Sequence, residues 1–211
     1  MRLFVLLLAF LAAFPAVAQQ SSPPGRFDYY VMALSWSPSY CATKSAQNDV
    51  EQCGGGRHPG FVVHGLWPQH DQGGYPAQCA LPSKVPAAIV TSMLPIMPSR
   101  KLVEHEWKKH GTCMGGGPEN YFTTTRDAFQ RIRIPASLER PTQPVTLAAT
   151  DVELLFMAAN PGLAADSISL SCKGRTVTEV RVCLDKTLNF RACGSENQDN
   201  CRNKVTFPSA R

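Results

Sequence analysis

Phe27-Asp28-Tyr29-Tyr30-Val31-Met32-Ala33-Leu34-Ser35-Trp36 is the run on which the reading of the fold turns. Its density of aromatic and β-branched residues predicts a strand buried in a sheet, and Pro38 stops it. Phe61-Val62-Val63-His64 predicts a second core strand, which Gly65 and Pro68 break, leaving a long loop as far as Gln78. Between the two runs, Ala42 to Gly60 is polar and Gly-rich and reads as a loop between two cysteines. Farther on, spaced apolar residues predict helices over 86–97 (interrupted near Pro95), over 102–110 ending at Gly111, over 120–133 and over 152–159. Thr150-Asp151 supply the N-cap and first turn of the last helix, and Asn160-Pro161-Gly162 end it. Ile168 to Cys172 and Val177 to Leu184 alternate and read as strands. No internal repeat or low-complexity segment interrupts the chain. The expected fold is one α+β domain: a central antiparallel sheet, shared by the early and late strands, packed with several helices and stabilised by disulfides.

Upstream of the decisive run the sequence changes character. Arg2 is followed by an apolar run from Leu3 to Phe14, then Pro15 and the small-residue triplet Ala16-Val17-Ala18. A charged start, an apolar middle and an A-x-A site form a secretory signal peptide, and the run is shorter than the roughly 20 residues a spanning helix needs. The expected organisation is a signal peptide over 1–18, a mobile spacer over 19–26 and one catalytic domain over 27–211. Removing 18 of 211 residues leaves 193, enough for a single sizeable core. The mature chain is expected to be soluble, and periplasmic or secreted.

Export makes the eight cysteines informative: Cys41, Cys53, Cys79, Cys113, Cys172, Cys183, Cys193 and Cys201. An even count in an oxidising compartment predicts four disulfides, although eight cysteines allow on the order of a hundred pairings. No C-x-x-C pair points to a metal site instead. The formal net charge of +5, or +4 without Arg2, favours an anionic partner without identifying one.

Chemistry concentrates in two segments, Phe61-Val62-Val63-His64-Gly65-Leu66-Trp67-Pro68 and His105-Glu106-Trp107-Lys108-Lys109-His110-Gly111-Thr112-Cys113. They hold three of the five histidines, with a Glu and Lys between the last two. RNA cleavage by transfer to the 2′-hydroxyl needs one group to take that proton, another to protonate the leaving 5′-oxygen, and positive charge at the phosphorane-like transition state. Histidine suits the proton roles because its pKa of about 6.5 keeps both forms accessible, and lysine suits the charge role. A zinc hydrolase is disfavoured: His105 and His110 stand at i and i+5, about 140° apart on a helix, whereas two ligands on one face need i and i+4. The bland alternative, ordinary surface or core histidines, suits His58 and His70, which have loop neighbours, better than it suits the cluster.

Both segments resemble the two active-site signatures of the ribonuclease T2 family, His-Gly-Leu-Trp-Pro and His-Glu-Trp-x-Lys-His-Gly-Thr-Cys. Tyr30 to Cys41 is similar to that family's opening strand, so the resemblance is dense from Phe27 to Cys113, and rests mainly on cysteine layout beyond it. The resemblance implies a cofactor-free, metal-independent endoribonuclease acting on RNA. His110 would be the base on the 2′-hydroxyl and His64 the acid toward the leaving oxygen, exchanging roles when water opens the 2′,3′-cyclic phosphate to a 3′-phosphate. His105 would hold the phosphate, and Glu106 and Lys109 would support the transition state. Trp67 would be a base platform and Tyr75 a second aromatic wall. Gln69 stands where some members carry a base-reading Asp; an amide offers both donors and acceptors, so weak base preference is expected. Trp107 is expected to pack, and Lys108 has no assigned role beyond local charge.

Pairing Cys79 with Cys113 would tie the segment bearing His105, Glu106, Lys109 and His110 to the loop bearing Trp67. The resemblance implies this pair, together with Cys172–Cys201 and Cys183–Cys193, and leaves Cys41–Cys53 by elimination. A monomer is expected. Two rivals differ in class or deployment: an RNA-binding relative that lost activity, which would carry a substitution at a proton-transfer histidine, and a cell-killing effector, which would carry an added delivery domain.

Overall fold

The computed structural model describes residues 22–57 and 59–210. The expected signal peptide, the first residues of the spacer and His58 lie outside the described residues. Six strands and seven α-helices follow in the order β1 (Tyr29–Trp36), α1 (Ser37–Cys41), α2 (Val50–Cys53), β2 (Phe61–Gln69), α3 (Ala87–Met93), α4 (Arg100–Lys109), α5 (Gly117–Gln130), α6 (Ala136–Glu139), β3 (Val145–Ala148), α7 (Ala149–Ala159), β4 (Ile168–Lys173), β5 (Thr176–Leu184) and β6 (Lys204–Phe207). They form one sheet of order β2-β1-β5-β6-β3, with β4 also paired to β5. This is the α+β domain expected, with one departure. The single β5–β6 pairing, Thr176 opposite Thr206, is parallel in an otherwise antiparallel sheet.

β1 is buried on both faces because strands flank it and side chains cover it. Its even-numbered residues Tyr30, Met32, Leu34 and Trp36 enter the main core with Val103, Phe122 and Phe156 from α4, α5 and α7. Tyr29 and Val31 face the other way, into a small cluster with Cys183 against which Trp67 packs. The functional side chains gather on this second, thinly covered face.

Several local expectations need correction. β2 does not stop at His64 but continues through Gly65 and Pro68 to Gln69, pairing Trp67 with Val31 and Gln69 with Tyr29. Pro68 is tolerated because β2 is an edge strand of the sheet. The outer edge of β2 is not left bare: the Val63 amide donates to the Ile96 carbonyl and the Leu66 amide to the Tyr121 hydroxyl. Pro38 ends β1 but also occupies the first turn of α1, where its missing N–H costs nothing. The stretch from Ala42 to Gly60 contains a 3₁₀ turn at Lys44–Asn48 as well as α2. α7 starts at Ala149 with no side-chain cap, so Thr150 is inside the helix and not its N-cap. β3 and β6 were unexpected; each is only four residues long and pairs with the other.

Four disulfides join Cys41 to Cys53, Cys79 to Cys113, Cys172 to Cys201 and Cys183 to Cys193. Among the described residues no helix is long and apolar enough to cross a membrane.

Candidate active site

α4 is the platform. Ser99 caps it, its hydroxyl accepting from the Leu102 amide, and the chain turns off after Lys109 with His110 as C-cap. The i, i+4 rule then sorts the polar side chains into two columns, His105 with Lys109 and Glu106 with His110. Val103 and Trp107 are buried on the core side, the Trp107 indole donating to the Ser83 carbonyl. Gly111 permits the exit: a Cβ there would lie 2.4 Å from the Trp107 ring and 2.8 Å from that of Tyr121.

β2 supplies the opposing wall. Its pairing with β1 skips a residue, with Ala33 opposite Gly65 and Leu34 opposite Val63, so His64 is the extra residue of a bulge. Bulges of this kind re-aim a side chain. Here the imidazole reaches across β1: its Nδ1 lies 2.8 Å from Glu179 Oε1 on β5, and its Nε2 3.7 Å from Glu106 Oε1 on α4. Trp67 stacks on His110 at 5.4 Å and 28°, meets His64 edge-on at 5.1 Å, and donates through Nε1 to Glu106 Oε2 at 2.8 Å. Tyr75, 49% exposed on the loop after β2, leans over His110 at 5.8 Å, with Lys109 Nζ 5.8 Å from its ring.

His64, Trp67, Gln69, Tyr75, His105, Glu106, Lys109 and His110 all line one cleft of about 260 Å³, joined by Arg181, Glu196 and Asn197. A larger cavity of about 600 Å³ elsewhere is lined mainly by apolar and backbone groups, with only Arg57, Glu139 and Arg140 charged. Chemistry therefore singles out the smaller cleft. Gln69 is less free than its position suggested: it is 4% exposed, its Nε2 donates to the Pro68 carbonyl, and its Oε1 accepts from Asn197. Asn197 also donates to the Tyr29 hydroxyl. His70 lies apart from the cluster, 3.7 Å from Asp28.

The electrostatics separate the histidines. Burial, reinforced by Lys109, His64 and His105, pushes the His110 pKa down to about 3, and its buried Nδ1 has no hydrogen-bond partner among the described residues. Burial also works against a charge on His64, but the hydrogen bond and charge of Glu179, with Glu106, outweigh it and raise its pKa. Partial burial, then Lys109, His64 and Lys108, lower that of exposed His105. Glu106 is 1% exposed, and burial raises its carboxyl to about 7 against the pull of His64, Trp67 and Lys109.

Glu179, Arg181 and Asn197 escaped the sequence reading. The first two had a signal: in Thr176-Val177-Thr178-Glu179-Val180-Arg181-Val182 they are charges two apart, on one face of an otherwise apolar strand. Asn197 had none. Among the described residues no group of three or more His, Cys, Asp or Glu is arranged to hold a metal ion.

Comparison with known proteins agrees with the geometry. The family model described as Ribonuclease T2 family matches residues 27–193. A ribonuclease of Aeromonas hydrophila is 43% identical over 140 residues, which are 65% of this chain and 62% of that protein, so the match spans less than two thirds of that relative. Ribonuclease DdI of Dictyostelium discoideum is 30% identical over 227 aligned positions, covering 98% of this chain and 96% of its own. Among solved structures, the RNase-related protein from Calystegia sepium superposes with a TM-score of 0.70 at 25% identity, covering 88% of this chain and 98% of that one.

Proposed function

This chain belongs to the ribonuclease T2 family, and we propose that it is an endoribonuclease cutting single-stranded RNA without a metal ion, by transfer of the scissile phosphate to the adjacent 2′-hydroxyl. The observation that carries the reading is the convergence of His64, His105, Glu106, Lys109 and His110 on one cleft, with the two imidazoles in surroundings that shift them oppositely, His110 down to about 3 and His64 up. A neutral imidazole accepts a proton and a charged one donates. His110 takes the 2′-hydroxyl proton, the 2′-oxygen bonds to phosphorus, the bond from phosphorus to the 5′-oxygen breaks, and His64 protonates that oxygen. The product ends in a 2′,3′-cyclic phosphate. In the second step His64 takes a proton from water, the water oxygen attacks phosphorus, and the released 2′-oxygen is protonated by His110, leaving a 3′-phosphate.

Lys109 and His105 supply donors for the phosphate. Glu106, its carboxyl raised to about 7, is only partly ionised at neutral pH; it repels a phosphate less than an ordinary carboxylate does, and in its protonated form it can donate from Oε1, since Oε2 already accepts from Trp67. Trp67 and Tyr75 offer ring faces to the base. Gln69 has most of its amide committed to Pro68 and Asn197, which favours weak base preference. Four disulfides suit an oxidising compartment, in keeping with a monomer exported to the periplasm or medium after cleavage at Ala18.

The test is to incubate oxidised mature protein with mixed RNA in excess EDTA and analyse fragment ends, with His64→Ala and His110→Ala in parallel. Cyclic and later 3′-phosphate ends from wild type, lost by at least ~10²-fold in each variant, are expected. Cleavage that stops in EDTA, or survives in both variants, would sink the mechanism.

A further inference from the structure

β5 passes beneath the cleft and places two charged side chains, Glu179 and Arg181, on the same face as Cys183. Glu179 is 6% exposed, a burial an unpaired carboxylate would not tolerate. Its two oxygens are divided between two basic side chains. Oε2 accepts from Arg181 Nε at 2.7 Å, while Oε1 accepts from His64 Nδ1 at 2.8 Å and, more weakly, from the Ser35 hydroxyl at 3.4 Å. Ser35 pairs directly with Glu179 across β1 and β5. The carboxylate is therefore fixed by strand register, and the bulge at His64 is what brings the imidazole to it.

We propose that Glu179, clamped by Arg181, is the positioning residue of His64: it fixes the ring with Nδ1–H turned to β5 and Nε2 toward the cleft, and keeps this histidine the proton donor. The inference rests on the nuclease reading above. A ring nitrogen that donates to a carboxylate sets which nitrogen faces the substrate, and a carboxylate that stays ionised favours the imidazolium. Burial would raise the Glu179 carboxyl, but the His64 and Arg181 contacts outweigh it and hold it below the usual range. The groups facing His64 from other elements do not duplicate this role. Glu106 on α4 lies farther away, at 3.7 Å, and is itself hard to ionise. Lys109 opposes a charge on His64, His105 and His110 are themselves lowered by it, and Tyr40 and Asp49 line a neighbouring cavity with it without bonding to the ring. Arg181 also sits 5.3 Å over the Trp67 ring, so the clamp extends to the aromatic wall.

The experiment is imidazole nitrogen NMR of His64 across pH in wild type and Glu179→Gln, beside kcat and KM for RNA cleavage over the same range. In wild type the neutral ring should be the Nδ1–H tautomer. In Glu179→Gln, His64 should titrate at lower pH, and the high-pH limb of kcat should move down with it. At neutral pH kcat should fall about 10- to 100-fold, less than the roughly 10²- to 10⁴-fold a whole general acid contributes, with KM little changed. A neutral Nε2–H tautomer in wild type overturns the proposal even if the variant does not fold. Cleavage by wild type with an unmoved limb and titration in the variant overturns the positioning role alone. A wild type that leaves RNA intact overturns the nuclease reading, and the catalytic role with it.

Discussion

A side chain at position 65 would collide with the chemistry: a Cβ there would lie 2.0 Å from Glu106 Oε2 and 2.6 Å from Trp67 Nε1. Backbone and carboxyl touch directly, which only glycine permits. Gly65→Ala should therefore push Glu106 and Trp67 off their hydrogen bond, and misplacement of about 1 Å can lower kcat on the order of 10²-fold. Steady-state kinetics beside a thermal melt would check this; an unchanged kcat would mean that the carboxyl has room to retreat. At this scale the residues were legible as chemistry, because histidine, glutamate and lysine in two short segments have few other uses together. Their conformations were not. Gly65 and Pro68 read as strand breakers, whereas one admits a neighbour and the other sits on an edge.

At the scale of elements, the site is α4 held against β2, and their juxtaposition is tied by the Cys79–Cys113 bond, which closes 34 residues of sequence. Cys113 ends the 3₁₀ turn Gly111–Cys113 that follows α4, and beside the bond the Gln78 amide donates to the Lys109 carbonyl. Replacing both cysteines by serine should cost about 2–5 kcal/mol of stability, read from urea unfolding. Activity should fall further than the folded fraction does, because the loop bearing Tyr75 is released from α4. If activity tracks the folded fraction alone, the crosslink serves stability only. Long elements such as β1, α4 and α5 were legible because each carries its own apolar periodicity. β3 and β6 were not, since four residues hold too little pattern and each strand exists only through its distant partner.

Across the whole molecule, the tuning of the site has a cost in stability that depends on pH. Glu106 is raised from 4.5 to about 7 by folding, so its contribution is intact below pH 4.5 and is lost as pH rises through 7. His110 runs the other way: lowered from 6.5 to about 3, it contributes fully above 6.5 and loses that contribution as pH falls through 3. Glu106→Gln removes the first cost. Its stability relative to wild type should rise between pH 4.5 and 7 and level off on the order of 3 kcal/mol higher, while cleavage declines. Urea midpoints at pH 4.5 and 8 would check this, and a difference independent of pH would contradict it. By itself the sequence determined the α+β class, the central strand, the expectation of four disulfides and the residue types of the chemistry, because these depend on local pattern and composition. Only the tertiary structure decided that β2 continues past His64, that His64 is bulged toward a carboxylate 115 residues away, and that the surroundings shift His64 and His110 in opposite directions. Protonation follows burial and the charges brought near, and those are set by strand register and packing between segments that are far apart along the chain.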